Sequence, residues 1–278
     1  MAKKTVLITG CSKGGMGYGL AQAFAEKGCH VFATARDPAK AASLTSDYVD
    51  VEVLPLDVVS PESIAACVEQ VRAKTGGRLD ILVNNAGTAD IKPTLDTPIA
   101  EARAQFETNF WGAFMVMQAF SPMLIEAKGT IVNISSMAAV ARVPWQSIYN
   151  ASKAALSSLS ETLRLELEPL GVNVVTVQLG LVATNLYAPI KCDLPEDSHY
   201  KPLANFFHGM TEGEFDEKRE QPLTTGRSIA RDVLAGRTGQ MWHGGTAGAV
   251  GWTWWLMPRK MFDRVLRQDK GFDQWKSS

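Results

Sequence analysis

Thr5-Val6-Leu7-Ile8-Thr9-Gly10-Cys11-Ser12-Lys13-Gly14-Gly15-Met16-Gly17 is the stretch on which the fold turns. A short β-branched run breaks into a glycine cluster, and a helical pattern follows from Tyr18 to Lys27, closed by Gly28. Glycine lets the backbone turn sharply between strand and helix. It also lets a pyrophosphate approach without meeting a Cβ, while the helix N-terminus offers amide donors and a partial positive charge. The turn alone needs glycine for its geometry, so the cluster takes its meaning from what surrounds it.

Outward from it, short apolar runs alternate with longer helical patterns. His30 to Thr34, Val51 to Leu56, Ile81 to Asn84, Thr130 to Ile134 and Val172 to Gln178 read as strands after the first, Val6 to Thr9. Pro61 to Thr75, Pro98 to Ala127 and Ser147 to Leu167 read as helices, and Asp37-Pro38 as a cap with proline at the first helical position. Strands joined by right-handed helical crossovers give an α/β fold, a doubly wound parallel sheet of the Rossmann type. Gly239 to His243 reads as a last strand. The pattern weakens between Leu186 and Arg237. The expected organisation is one domain over residues 1–278, with a variable C-terminal lid over the substrate at 186–237 and a Trp-rich extension at 244–278.

The composition of the 278-residue chain is 46% hydrophobic and 21% charged, with a formal net charge of −1. No basic excess points to a nucleic-acid partner. The cysteines Cys11, Cys29, Cys67 and Cys192 form no CxxC pair and show no metal-ligand spacing, so no metal is expected and free thiols in a reducing compartment are. Met1-Ala2-Lys3-Lys4 leads into an apolar run too short for a secretory signal, and no stretch reaches the roughly 20 apolar residues of a membrane span. A cytoplasmic protein is the expectation, qualified by contact with a lipid surface through its C-terminus.

Two basic residues bear on the dinucleotide. An NAD site puts an acid at the end of the second strand to hold the ribose 2′-hydroxyl. Here Phe32-Ala33-Thr34-Ala35-Arg36 puts Ala35 at that position, and Arg36 with Lys13 is suited to a 2′-phosphate. This favours NADPH/NADP+. Asp37 is explained as the cap before Pro38.

Tyr149-Asn150-Ala151-Ser152-Lys153 opens a helix and sets Tyr149 and Lys153 on one face. A phenol, with a pKa of about 10, is a poor proton donor near neutrality until a neighbouring ammonium favours its anion. Ser136 lies just past the strand Thr130–Ile134, at the carboxyl end where open parallel sheets place their ligands, and its hydroxyl can donate to a carbonyl oxygen. Each signal alone has a bland counterpart: a surface contact between residues one helical turn apart, or a serine that ends a strand.

Together with Asn84-Asn85-Ala86-Gly87 and Asn109, these motifs resemble the ordered set of the short-chain dehydrogenase/reductase family over about residues 4 to 185. The resemblance implies roles. Tyr149 exchanges a proton with the substrate oxygen, Lys153 lowers the phenol pKa and holds the nicotinamide ribose, and Ser136 polarises the carbonyl. Asn109 holds a water that links Lys153 to solvent. Asp57 accepts from the adenine amino group beside Val58. Gly10, Ser12, Lys13, Gly15, Met16 and Gly17 cradle the phosphates with Arg36. Asn85, Ala86 and Gly87 line the sheet edge, Gly180 fits the cofactor-side turn after the sixth strand, and Val182 and Thr184 meet the carboxamide. Two departures stand out: the glycine loop is one residue longer than usual, and Leu179-Gly180 replaces the family's frequent Pro-Gly.

Tyr187, Tyr200, Phe206, Phe207, His208 and Met210 give the lid an apolar character, suited to an apolar substrate or to packing on the core. Lys201, Arg219 and Arg227 read as a solvated face. Trp252-Thr253-Trp254-Trp255-Leu256-Met257-Pro258-Arg259-Lys260 fits an interfacial anchor. A dimer contact or core-packing tail, with Trp242 and Trp275, is the expectation preferred for it. The extended loop, the Leu-Gly turn and the Trp-rich end resemble fungal 1-acyldihydroxyacetone-phosphate reductase-like members, and Thr34 to Pro38 is similar in hydroxysteroid dehydrogenase-like ones. The leading functional expectation is reduction of a ketone or aldehyde in lipid or secondary metabolism. An isomerase, dehydratase or cyclase using Tyr149 with the cofactor as scaffold is the alternative, and a cofactor-sensing binding protein a weaker third. The resemblance also implies a homodimer or homotetramer.

Overall fold

A computed structural model of the chain describes residues 3–187, 194–211 and 219–273. Cys192 and Trp275, and the side chains of Tyr187 and Met210, lie outside the described residues.

β1 (Thr5–Ile8) leads to α1 (Met16–Glu26), β2 (His30–Ala35) to the short α2 (Ser43–Asp47), and β3 (Val51–Pro55) to α3 (Pro61–Thr75). β4 (Ile81–Asn84) is followed by α4 (Ile99–Phe106) and α5 (Ala113–Ala127), and β5 (Thr130–Ile134) by α6 (Ala138–Ala141) and α7 (Ser147–Leu167). After β6 (Asn173–Leu179) come α8 (Ala204–Thr211), α9 (Pro222–Leu234), β7 (Gly239–His243), α10 (Ala247–Leu256) and α11 (Arg259–Arg267). The seven strands form one parallel sheet in the order β3-β2-β1-β4-β5-β6-β7. Val6 of β1 pairs with Val31 on one side and with Ile81 on the other. The strand order therefore reverses at β1, which opens a crevice at the carboxyl ends of β1 and β4.

Alternation along each strand divides the core in two. Val6, Ile8, Ala33 and Val83 face Leu20 and Phe24 of α1 and Ile229 and Val233 of α9. Leu7, Phe32, Leu82 and Ile131 face Val68 and Val71 of α3 and Val116 and Phe120 of α5. Because both faces are covered, the strands read as continuous apolar runs. Local signals set the helix ends as well. At α3, Ser60 Oγ accepts from the Ser63 amide at 3.1 Å, ahead of Pro61 in the first turn.

Three features differ from the sequence expectation. α1 starts at Met16 rather than Tyr18, because Gly15 is extended and ends the loop directly before it. The stretch Pro98–Ala127 is not one regular helix: Glu107–Gly112 opens into a π-helical turn that contains Asn109. The segment after β6 folds into α8 and α9, with Phe206 and Phe207 buried against Ile91 and Leu203 and bordered by Trp145 and Tyr200. Those two phenylalanines thus pack the segment onto the rest of the protein.

Arg227, on the exposed surface, pairs with Glu26 through bonds of 2.7 and 2.8 Å. In the Trp-rich extension, Trp254 packs against Phe262 and under the Arg142 guanidinium, whereas Trp252 and Trp255 stand exposed. Among the described residues, no helix is long and apolar enough to cross a membrane.

Candidate active site

The glycine loop bridges β1 and α1 and is pressed against the end of β4. At Gly10, where φ is +74°, an added Cβ would lie 2.9 Å from Ala86 Cα, and at Gly17 it would lie 2.4 Å from the Gly10 carbonyl oxygen. Neither position has room for any side chain. Asn85 fastens the contact: its Nδ2 donates to the carbonyls of Thr9 at 2.8 Å and Gly10 at 3.1 Å. Thr9 Oγ1 in turn accepts from the Asn85 and Ala86 amides at 2.9 Å. No side chain caps the N-terminus of α1, and Gly15 and Met16 at that end line the crevice.

One cleft runs from this loop to α7. Gly10, Ser12, Gly15 and Met16 line its start. Arg36, Asp57 and Val58 follow from the ends of β2 and β3, and Asn85, Ala86 and Gly87 from the end of β4. Tyr149, Lys153 and Thr184 line the far end. Other residues singled out in the sequence do not line this surface. Gly17 lies under the loop, and Gly180 is packed so closely on the turn after β7 that a Cβ would meet the Gly245 oxygen at 2.3 Å. Val182 is buried in the core, while Lys13 is exposed beside the cleft rather than lining it.

At the loop end of the cleft, the Lys13 amide donates to the Lys40 carbonyl at 2.8 Å, which brings Lys40 to the wall beside Arg36. Lys40 had not been singled out from the sequence. Its signal was its place four residues beyond Arg36, but the contact to Lys13 is visible only in three dimensions. Asp37 also borders the cleft, and its carboxylate accepts from the Ala39 amide at 3.1 Å, capping the 3-10 turn Pro38–Ala41. Asp57 takes the Val59 amide at 3.2 Å. A glycine cradle at a helix N-terminus with two cations beside it fits a dinucleotide carrying a further phosphate on its adenosine ribose.

At the other end, α7 places Tyr149 and Lys153 one turn apart, both buried. Lys153 Nζ donates to the Ile134 carbonyl at 2.8 Å and lies 5.9 Å from the centroid of the Tyr149 ring. Burial draws the Lys153 ammonium down to about 8. Behind it, Asn109 Oδ1 accepts from the Thr88 amide at 2.7 Å, and its Nδ2 donates to the Thr88 carbonyl and to Ser152 Oγ at 2.8 and 3.0 Å. A Cβ on Gly87 would lie 3.2 Å from Asn109 Oδ1 and 3.5 Å from Lys153 Nζ, so these three residues share one corner. Ser136 Oγ accepts from the Ala138 amide at 3.1 Å as the chain enters α6. Ser135, rather than Ser136, is on the cleft wall; it donates to the Lys153 carbonyl at 3.0 Å and fixes α7 against β5.

Ile134 and Leu179 line the cleft too. Both end parallel strands, so the rule that placed Ser136 could have found them. Around the Tyr149 ring the packing is apolar, from Ala89, Ala138, Val143 and Leu186. Val143 is shared with a second cavity walled by Pro144, Trp145, Tyr200 and Phe272, with Arg142 and Arg267 among its lining residues.

Residues 4–194 match the family model for the short chain dehydrogenase. A short-chain dehydrogenase of Penicillium ochrochloron is 44% identical over 265 residues, covering 95% of this chain and 97% of its own. The NADPH-dependent 1-acyldihydroxyacetone phosphate reductase of Schizosaccharomyces pombe is 36% identical over 282 residues, covering 96% and 94%. The crystal structure of a short-chain dehydrogenase from Streptomyces avermitilis superposes with a TM-score of 0.80 at 29% identity, covering 96% of this chain and 98% of that one. The sheet, the cleft and these likenesses define a Rossmann-type oxidoreductase. The chain belongs to the short-chain dehydrogenase family.

Proposed function

We propose that this oxidoreductase uses NADPH to reduce a ketone or aldehyde on a mostly apolar molecule. The observation that carries the reading is the buried Lys153 ammonium beside the Tyr149 ring, at the far end of a cleft that begins at the glycine loop. The cofactor, when bound, supplies the hydride that its nicotinamide C4 gives to the carbonyl carbon. Tyr149 gives its hydroxyl proton to the carbonyl oxygen, and Lys153 stabilises the phenolate left behind. Ser136 steers the carbonyl oxygen, and Asn109 holds the corner formed with Gly87 and Lys153. Gly10, Ser12, Gly15 and Met16 receive the pyrophosphate against the start of α1, and Arg36 and Lys40 receive the 2′-phosphate. The apolar packing around Tyr149, from Ala89, Ala138, Val143 and Leu186, supports an apolar substrate. The fission-yeast relative, an NADPH-dependent reductase by name, supports the choice of cofactor. Exposed Leu95, Ile99 and Trp111 beside or within the helical stretch Ile99–Ala127 support a homo-oligomer built on that face.

The direct test follows NADPH absorbance against a panel of lipophilic ketones and aldehydes. Stoichiometric NADPH loss and alcohol formation are expected; product formed with no NADPH consumed would replace this reading with an isomerase or dehydratase. The pH profile provides a second check. Lys153 is charged below about 8 and neutral above it, and only the ammonium stabilises the phenolate. The kcat/KM for reduction should therefore fall as pH rises through about 8. A profile that stays flat through that region would remove Lys153 from its role.

A further inference from the structure

The last described helices leave an apolar face uncovered. α10 contains no charged residue from Ala247 to Leu256. Its inner side is occupied: Ala247 is buried, and the Trp242 ring lies so close to Gly251 that a Cβ there would meet it at 2.9 Å. Its outer side carries Trp252, Trp255 and Leu256, one helical turn apart and 75%, 81% and 76% exposed. A helix that packs one stripe onto a protein and faces water with the other carries polar residues outside, and a helix apolar all round needs an apolar medium on both sides. α10 is of the second kind.

Beyond Pro258 the same surface becomes cationic. α11 exposes Met261 and Val265 one turn apart and, next to them, Arg259, Lys260, Arg264 and Arg267. Its one carboxylate, Asp263, lies 3.7 Å from Arg142 and 3.9 Å from Arg259. The chain as a whole carries a net charge of −1, so this cationic excess is local. Indole rings rimmed by lysine and arginine match the boundary between headgroups and acyl chains of an anionic bilayer, where the rings are half-buried and the cations meet phosphates. Two copies meeting through this face would bring their cations together, so charge favours the lipid over a second copy.

We propose that the α10–α11 face binds the surface of an anionic phospholipid bilayer. Trp252, Trp255 and Leu256 enter the interfacial layer, and Arg259, Lys260 and Arg264 lie on the lipid phosphates. The segment that follows reaches the second cavity. Trp145 Nε1 donates to the Lys270 carbonyl at 3.0 Å, its ring stacks on Phe272 at 4.9 Å, and Arg267 and Phe272 line the cavity. Binding at this face therefore sets a cavity with aromatic walls and two arginines close to the lipid surface.

Flotation of the full chain tests this independently of any redox chemistry, with phosphatidylcholine–phosphatidylserine vesicles against phosphatidylcholine alone. The wild type should float with the mixed vesicles, float poorly with the neutral ones, and be released by salt. Trp252→Ser/Trp255→Ser should lower partitioning by at least about tenfold. Arg259→Glu/Lys260→Glu/Arg264→Glu should lower it by more than about a hundredfold. Both variants should keep the wild-type melting temperature. Failure of the wild type to float, or equal flotation of both variants, overturns the proposal. So does light scattering in which the tryptophan variant converts a wild-type dimer to a monomer, which would assign the face to a second copy.

Discussion

Tyr149→Phe should lower kcat for carbonyl reduction by about a thousandfold, within the range expected for removing a positioned general acid. That factor corresponds to about 4 kcal/mol of transition-state stabilisation. The substitution removes one hydroxyl from a buried ring packed among Ala89, Ala138 and Val143, so the fold should persist. NADPH affinity, measured by fluorescence titration, should stay within a few-fold of wild type, because the phosphate cradle lies at the other end of the cleft. Loss of kcat without loss of cofactor binding is the signature of a group that acts in the chemical step. A variant turning over at the wild-type rate would end the mechanism.

The second large effect concerns cofactor choice. Arg36 and Lys40 line the cleft next to Ala35, where an NAD site would carry an acid. Hydrogen bonds to charged groups contribute about 1.5–3 kcal/mol each, so Arg36→Ala/Lys40→Ala should weaken NADPH binding by about a hundredfold or more. NADH, lacking the 2′-phosphate, should bind nearly as before. Lys13→Ala should cost less than Arg36→Ala, because Lys13 is exposed beside the cleft whereas Arg36 lines it. Equal losses for both dinucleotides, in parallel calorimetric titrations, would show that Arg36 and Lys40 only shape the loop.

What the sequence revealed and what it hid have separate physical origins. The strands were legible because a sheet covered on both faces needs unbroken apolar runs such as Val6–Ile8 and Ile81–Val83. Tyr149 and Lys153 were legible because helix geometry alone brings residues four apart to one face. Lys40 was hidden because it reaches the cleft through a hydrogen bond to a residue on a distant loop. The π-helical turn at Asn109 was hidden because Glu107-Thr108-Asn109-Phe110-Trp111-Gly112 has no pattern that separates an extra residue per turn from an ordinary helix. For Trp252 and Trp255 the sequence leaves an interfacial anchor, a dimer contact and inward packing side by side, since hydrophobicity gives a side chain's preference and not its surroundings. Only the fold shows that Trp254 and Phe262 already occupy the inner side.

The longer glycine loop has a further effect. Asn185, just past the end of β6, donates through its backbone amide to the Gly14 carbonyl and through Nδ2 to the Lys13 carbonyl, both at 3.2 Å. The loop that would grip the pyrophosphate and the turn that carries the chain on to Leu186, beside Tyr149, thus share one hydrogen-bonded joint. Asn185 thereby holds the two segments at a fixed separation, so the loop and the turn are positioned together.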